Sequence, residues 1–505
     1  MTRGAAPDPR ELPLPSQRGV YYGGGWHKPH SGHFVPTWNP GTGESLGKVA
    51  DGSAPDADAA VAAAHRAFDA WKAVLPLERA RLLRALADVV RRHAEELALI
   101  DAANGGNPVR EMVGDAKVAA AQLDFFAGLV TEMKGSSIPM GPDAVNFSLR
   151  EPLGVVARIF PFNHPAMFCA GKAAAPLAAG NCVVMKPPEQ APLSALRLAE
   201  LAHDVLPPGV FNVVPGGREV GRALAAHPLV AKVGLIGSVT AGRAVMRAAS
   251  DTLKPLLLEL GGKNALIAYP DADPDDVAAA AVAGMNFTWC GQSCGSTSRA
   301  FVHASIHDAV VEGIARRVGA YRPGLPTDPA TTMGAIVSAA QRDRVLAYID
   351  SARQEGARLV CGGGPPDDPA LARGFFIEPT VFADVAPSMR IAREEIFGPV
   401  LAVLQWSDER AMLDEVNAVE YGLTCSIWTN DVSIAHRTAM AVDVGYVWVN
   451  DVGRHFLGAP FGGVKQSGFG REECIGEMLG FTREKNIHVR LLKAVNKKPG
   501  AGPGS

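Results

Sequence analysis

Cys294 sits in a run of small and polar residues, GQSCG at 291–295. A turn of this kind exposes a thiol and lets it meet backbone N–H donors, as a nucleophile with an oxyanion hole requires. Cysteine also packs as an inert small apolar residue, so the type alone leaves both readings open. Glu259 closes an apolar run (LLLEL, 256–260) directly before Gly261 and Gly262. A carboxyl there is either paired structurally or held near neutrality by burial, where it can work as a base. Asn163, between Phe162 and His164-Pro165, can cap the helix that follows or donate its amide to an oxyanion.

Two further loops carry chemistry suited to a phosphorylated ligand. Gly237, Ser238 and Gly242 open a helix after a strand, and small residues at a helix N-terminus let backbone N–H groups approach a phosphate. The GxxxxG spacing also serves an ordinary tight turn. Lys186-Pro187-Pro188-Glu189 offers a cation and a carboxylate for a ribose diol, or a surface lysine and a glutamate favoured by the helix dipole.

The elements around these residues must bring them together. From 153 to 260, strand-like runs at 154–160, 182–186, 210–214, 231–235 and 256–260 alternate with helical runs, the clearest at 191–206 before Pro207 and Pro208. Apolar strands alternating with helices mean βαβ units and a parallel sheet covered on both faces. Ligands of such sheets bind beyond the carboxyl ends of the strands, where the candidate loops lie. Between 56 and 130, residues such as Leu83, Leu86, Val89 and Val90 recur at helical spacing. A Gly/Pro-rich break spans 135–143, a second α/β segment runs from about 262 to 480, and 486–492 alternates as a final strand. There is no internal repeat.

The chain has 505 residues, 47% hydrophobic and 20% charged, with a net charge of −3. At roughly 150 residues per domain this implies two to four domains with real cores. No Lys/Arg cluster is long enough to track a phosphate backbone, which argues against nucleic acid and anionic membranes as partners. No apolar stretch reaches membrane-spanning length. Residues 1–18 are polar and proline-rich without the core of a signal peptide. Seven scattered cysteines, an odd number, point to reduced thiols and a cytoplasmic location. Cys290 and Cys294 can share a helical face, but no second pair follows at metal-ligand spacing, so no metal is expected.

Taken together, PFNHP (161–165), KPPE (186–189), Gly237-Ser238, LELGGK (258–263), GQSC (291–294), EEIFGP (394–399) and PFGG (460–463) resemble the aldehyde dehydrogenase superfamily over roughly residues 20–490. The motifs stand in the family's order, and the 35-residue interval from Glu259 to Cys294 is the most telling. The resemblance implies an α/β aldehyde dehydrogenase fold. A Rossmann-like cofactor domain would cover 19–133 and 153–261, and an α/β catalytic domain 262–480. A small β oligomerisation extension would combine 134–152 with 481–496, between disordered ends at 1–18 and 497–505. Its exposed edge would pair with another subunit, giving a homodimer or homotetramer.

By the same resemblance Cys294 is the nucleophile, Glu259 the general base and Asn163 the side-chain oxyanion donor. Lys186 and Glu189 meet the adenosine ribose, while Gly237, Ser238 and Gly242 form the pyrophosphate turn. Glu395 and Phe397 hold the nicotinamide ribose and ring, and Ile159, Phe162 and Leu260 flank the cofactor. NAD is expected over NADP because Glu189 would face the ribose 2′-hydroxyl. The implied reaction is oxidation of a small aldehyde through a thiohemiacetal and a thioester on Cys294, hydrolysed with Glu259 as base. The alternatives are acyl transfer to coenzyme A, esterase use of the same thiol, or an inert binding protein. Retention of Glu259 favours water as acceptor.

The chain departs from the family at Phe162, where tryptophan is usual, and at His164, where an apolar or aromatic residue is commoner. The implied substrate tunnel involves His164, Met167, Phe168, Gly171, Trp289, Gly453, Arg454 and His455. Gly171 is small where bulk is common, which predicts a tunnel wide enough for a branched or aromatic aldehyde. Arg454 offers a fork for a carboxylate tail if it faces inward. Otherwise Arg454 and His455 meet solvent or a neighbouring subunit.

Overall fold

The computed structural model describes residues 12–492. The expected disorder of 1–11 and 497–505, and positions 493–496, lie outside them. Residues 12–18, expected to be disordered, are instead docked. The Ser16 hydroxyl and the Gln17 N–H donate to Glu200 Oε1 at 2.8 and 2.7 Å, and Leu12 and Leu14 pack against the main core. That acceptor sits 183 residues away, so local composition could not reveal it.

Five parallel strands form the heart of the first sheet. They run in the spatial order Phe211–Val213, Cys182–Lys186, Val155–Ile159, Val230–Ile236 and Leu256–Glu259. Strands at Val20–Tyr22 and Gly25–His27 extend one side, and Gly468–Phe469 the other, to eight in all. The first strand in sequence lies centrally; the next two fall to one side and the last two to the other. Strand order therefore reverses beside Val155–Ile159, which opens a crevice at the strands' carboxyl ends.

These strands read as continuous apolar runs because both faces are covered. Helices Ala54–Ala73, Pro76–Arg92, Ala94–Gly105 and Val109–Gly128 fill the stretch expected to be helical. Helix Pro165–Ala178 begins with Pro165, whose missing N–H costs nothing in the first turn. Nearly every residue of it is buried. The helix expected at 191–206 is shorter, Leu193–Ala202, because the chain leaves helical geometry before Pro207.

A second, seven-stranded sheet is parallel except at one edge. Its order is Arg358–Cys361, Thr380–Ala383, Val400–Trp406, Arg299–His303, Ala265–Ala268, Thr424–Trp428 and Tyr446–Val449. Separate apolar cores pack on its two faces. A third, antiparallel sheet joins Ser137–Ile138, Ala144–Pro152 and Thr482–Arg490, the last two in a nine-residue register. The final strand thus begins four residues earlier than its alternation suggests, because pairing with Ala144–Pro152 orders its charged start as well. Among the described residues no helix is long and apolar enough to cross a membrane.

Candidate active site

The crevice at the reversal point collects the loops that follow the first sheet's strands. Ser238 caps helix Val239–Ala249 by accepting from the Ala241 N–H at 3.2 Å. The Gly237 N–H donates to the Glu259 carbonyl at 3.0 Å, tying two strand ends together. At Gly242 a Cβ would come within 2.6 Å of the end of the Leu260 side chain, so glycine lets the helix approach that loop without displacing the leucine. On the neighbouring strand end, burial lowers the Lys186 ammonium to about 8 while Glu189 partly restores it. Lys186 Nζ donates to the Pro187 carbonyl at 2.9 Å, and Ile159 lies beside its stem near Gly221. Glu189 is exposed and leans over Gly217.

From the second sheet's side, the Glu395 carboxylate accepts the Gly262 N–H at 3.0 Å, and burial raises its pKa. It fills the space where a Cβ at 261 would stand. Phe397 has a left-handed φ of 53° and meets Phe162 edge to face, with centroids 5.7 Å apart. Gln341 Nε2 donates to the carbonyls of both Ile396 and Phe397, which holds this loop against the crevice. Two carboxylates, a lysine, a glycine-lined helix start and an aromatic pair thus stand at these strand ends and on the loop packed beside them, a set of groups whose chemistry fits a dinucleotide.

The three candidate reacting groups lie together. Asn163, Glu259 and Cys294 line one cavity of about 360 Å³. Asn163 follows the central strand, and its carbonyl accepts from Asn107 Nδ2 at 2.7 Å while its own Oδ1 has no partner. Glu259 ends its strand and points into the cavity. Burial pushes its carboxyl up to about 8, Glu472 adds repulsion, and the facing Cys294 thiol draws it partly back. Burial and then Glu259 likewise push the half-buried Cys294 thiol well up.

The cysteine loop is not helical. Asn286, Cys290 and Gly291 all have left-handed φ, near 55–62°, around a 3-10 turn at Phe287–Trp289. A shared helical face for Cys290 and Cys294 is therefore wrong: the turn sends Cys290 into the core and Cys294 into the cavity. At Gly291 a Cβ would collide with the Gly398 carbonyl. Asn264 Nδ2 anchors the Cys294 carbonyl at 2.7 Å, leaving the residue's position little freedom.

The cavity wall brings together His164, Met167, Phe168, Trp289, Gly453 and His455. Two other expected wall residues are not there. The Gln122 side chain covers Gly171, where a Cβ would strike its Oε1, so this glycine makes room for a glutamine and does not widen the tunnel. Arg454 points out: its side chain is 71% exposed, and among the described residues the carboxylate within salt-bridge reach is Asp451, at 3.6 Å. An exposed pair satisfies it.

Several groups escaped the sequence. Arg158, Lys172 and Glu472 form a buried ion cluster, with Nη2–Oε1 at 2.7 Å and Nζ–Oε2 at 2.9 Å. Burial opposes charge on Glu472, but Lys172 and Arg158 outweigh it and hold the carboxylate below its usual range. Glu473 accepts from His455 Nδ1 at 3.1 Å, and Asp115 from His164 Nδ1 at 2.7 Å. The spacing of Asp115, Val118 and Gln122 on one helical face was the available signal. The lone charges in apolar runs, such as Lys172, were another.

A parallel sheet with a slot at its reversal point, and a thiol and carboxyl beside that slot, define a dinucleotide-dependent oxidoreductase. A family model described as the aldehyde dehydrogenase family matches residues 26–487. Aldehyde dehydrogenase tropH of Talaromyces stipitatus is 53% identical over 491 residues, covering 96% of this chain and 95% of the relative. A betaine aldehyde dehydrogenase of Cereibacter sphaeroides is 42% identical, covering 91% and 95%. The crystal structure of PnpE, a Pseudomonas protein, in complex with nicotinamide adenine dinucleotide superposes with a TM-score of 0.92 at 41% identity, covering 94% and 98%. The chain belongs to the aldehyde dehydrogenase family, and it is an enzyme with that family's fold.

Proposed function

We propose that this enzyme oxidises an aldehyde to the carboxylic acid with NAD, through a covalent thioester on Cys294. The observation carrying the reading is the convergence of Cys294, Glu259 and Asn163 on one cavity beside the dinucleotide slot. Cys294 loses its proton to solvent and the thiolate sulfur attacks the aldehyde carbon, while Glu259, whose pKa is raised to about 8, serves as general base in the later hydrolysis. The Asn163 amide and the Cys294 backbone N–H stabilise the oxyanion. The chemistry that the dinucleotide supplies when bound is acceptance of a hydride. Glu259 then takes a proton from water, which attacks the thioester carbon and releases the acid and the free thiol.

In this reading Lys186 and Glu189 hold the adenosine ribose, and the turn of Gly237, Ser238 and Gly242, packed on Leu260, takes the pyrophosphate. Ile159 flanks the adenosine end. Glu395 takes the nicotinamide ribose, with Phe397 and Phe162 against the ring. NAD is preferred because Glu189 repels a 2′-phosphate. The protein assembles as a homodimer or homotetramer through the third sheet, whose Val145, Leu149 and Val489 are exposed apolar residues on paired strands. Cysteines that are all free among the described residues suit a reducing cytoplasm.

The test is Cys294→Ala against Cys290→Ala. NADH formation from a simple aldehyde should vanish in the first and persist in the second, because Cys290 is buried and burial pushes its thiol far up. Wild-type-like turnover by Cys294→Ala would overturn the mechanism.

A further inference from the structure

His164 is held more deeply than the other histidine of the cavity, His455, whose side chain is 39% exposed. His164 lies at the start of helix Pro165–Ala178, with Nδ1 2.7 Å from Asp115 Oδ2, and both side chains are more than nine-tenths buried. A carboxylate only accepts, so Nδ1 carries a proton, and in that tautomer of the imidazole the lone pair stands at Nε2. Nε2 makes no hydrogen bond among the described residues, yet it is not sealed off as Trp289 Nε1 is. The ring plane is fixed by edge-to-face contacts with Trp289 at 4.9 Å and Phe168 at 5.5 Å. A polar nitrogen of set orientation therefore faces a cavity whose other walls include Trp289, Phe168, Trp448 and Phe461.

The surrounding charges narrow what that nitrogen receives. Asp115, Lys172, Glu472 and Glu473 all line the cavity, and each already has a partner: Asp115 in His164, Glu472 in Lys172 and Arg158, and Glu473 in His455. Neither the lysine nor these carboxylates is left unpaired to fix an acidic or a cationic tail. What remains suited to the cavity is a neutral aromatic body with one hydroxyl donor. Aromatic walls favour such a ring by stacking and edge contacts.

We propose that His164, oriented by Asp115, is a specificity-determining residue that accepts a hydrogen bond at Nε2 from the hydroxyl of a hydroxylated aromatic aldehyde. This rests on the proposed aldehyde oxidation at Cys294 and names its substrate class. No bond other than the hydrogen bond forms; the hydroxyl proton stays between oxygen and Nε2 while the aldehyde reacts at the sulfur. A site built around such an acceptor discriminates against an analogue whose oxygen cannot donate, because the buried nitrogen is then left unpaired.

The experiment measures kcat/KM for NADH formation with benzaldehyde, 3- and 4-hydroxybenzaldehyde, their methyl ethers, and betaine aldehyde. Wild type should favour at least one hydroxybenzaldehyde over its methyl ether and over benzaldehyde by about tenfold or more. His164→Phe should bring the ratio of kcat/KM for the hydroxybenzaldehyde to that for benzaldehyde down to about one, whatever its effect on benzaldehyde itself, and His164→Gln, which keeps an acceptor, should recover part of the ratio. Wild type with no preference for the hydroxyl overturns the proposal even if both variants fail to fold. So does betaine aldehyde outperforming every aromatic substrate, or a His164→Phe loss equal across the aromatic panel. Absence of NADH formation with all the aldehydes in wild type would instead overturn the underlying reaction, so the two failures are distinct.

Discussion

Gln122 lies over Gly171 and fills the volume that a larger side chain would occupy at that position. Its Oε1 is buried without a hydrogen-bond partner, so the glutamine closes the tunnel wall at some energetic cost. Truncating it exchanges lost packing for removal of an unpaired carbonyl. Gln122→Ala should therefore change stability by less than about 1 kcal/mol and raise kcat/KM for bulky, branched aldehydes. Gly171→Ala, which drives a methyl into the glutamine, should cost about 1–3 kcal/mol in denaturant unfolding. A harmless Gly171→Ala would show that Gln122 moves aside freely.

Glu259 predicts a separation of steps. Glu259→Gln should release about one equivalent of NADH per site in a burst and then stall, with the acyl group found on Cys294 by mass spectrometry. In wild type, a rate limited by thioester hydrolysis should climb as pH rises through about 8, where the carboxyl ionises, and the variant should lack that rise. A normal steady state without an adduct would move the base elsewhere.

The same carboxyl makes a prediction about stability. Its pKa is raised from 4.5 to about 8, so between those values the folded protein keeps a proton that the unfolded chain has released. Stability must then fall as pH rises through that window. Glu259→Gln removes the penalty, and thermal unfolding at pH 8 to 9 should show a higher Tm for the variant than for wild type. A lower Tm would mean that the ionised carboxylate is already well compensated.

Glu189 bears on cofactor choice. Two like charges about 4 Å apart at an effective dielectric near 20 repel by about 4 kcal/mol, but Glu189 is exposed and solvent screens much of this. Lys186 offsets more of it. Wild type should thus favour NAD over NADP by about tenfold or more in kcat/KM, and Glu189→Ala should narrow the gap mainly by improving NADP. Equal efficiency with both cofactors in wild type would remove the role given to this residue.

Arg454 should be silent. Its guanidinium is solvent-exposed beside Asp451, so Arg454→Ala should leave kcat/KM within about twofold for a neutral aldehyde and for an ω-carboxylated one of equal length. A selective loss on the carboxylated substrate would mean that the side chain swings inward.

Much of this enzyme was legible in the chain alone. The alternation of apolar strands and helices between 153 and 260 determined a doubly covered parallel sheet, because only that arrangement hides both faces of such strands. It also located the functional loops, since strand ends are where such sheets leave backbone groups free. Motif spacing then singled out Asn163, Glu259 and Cys294, which do share one cavity. Tertiary structure alone decided which way a side chain faces and what fills the space beside it. Gly171 reads as an opening until Gln122, 49 residues earlier, is seen to occupy it. Arg454 reads as either an anchor or a solvent-facing residue until Asp451 and solvent are seen to claim it. Asp115 and His164, also 49 residues apart, become a pair only when helices Val109–Gly128 and Pro165–Ala178 pack together. Lys172, Arg158 and Glu472 become a cluster by the same kind of convergence. Local sequence sets period and propensity, whereas partners across hundreds of residues are chosen by packing, and packing has no signature in any single window.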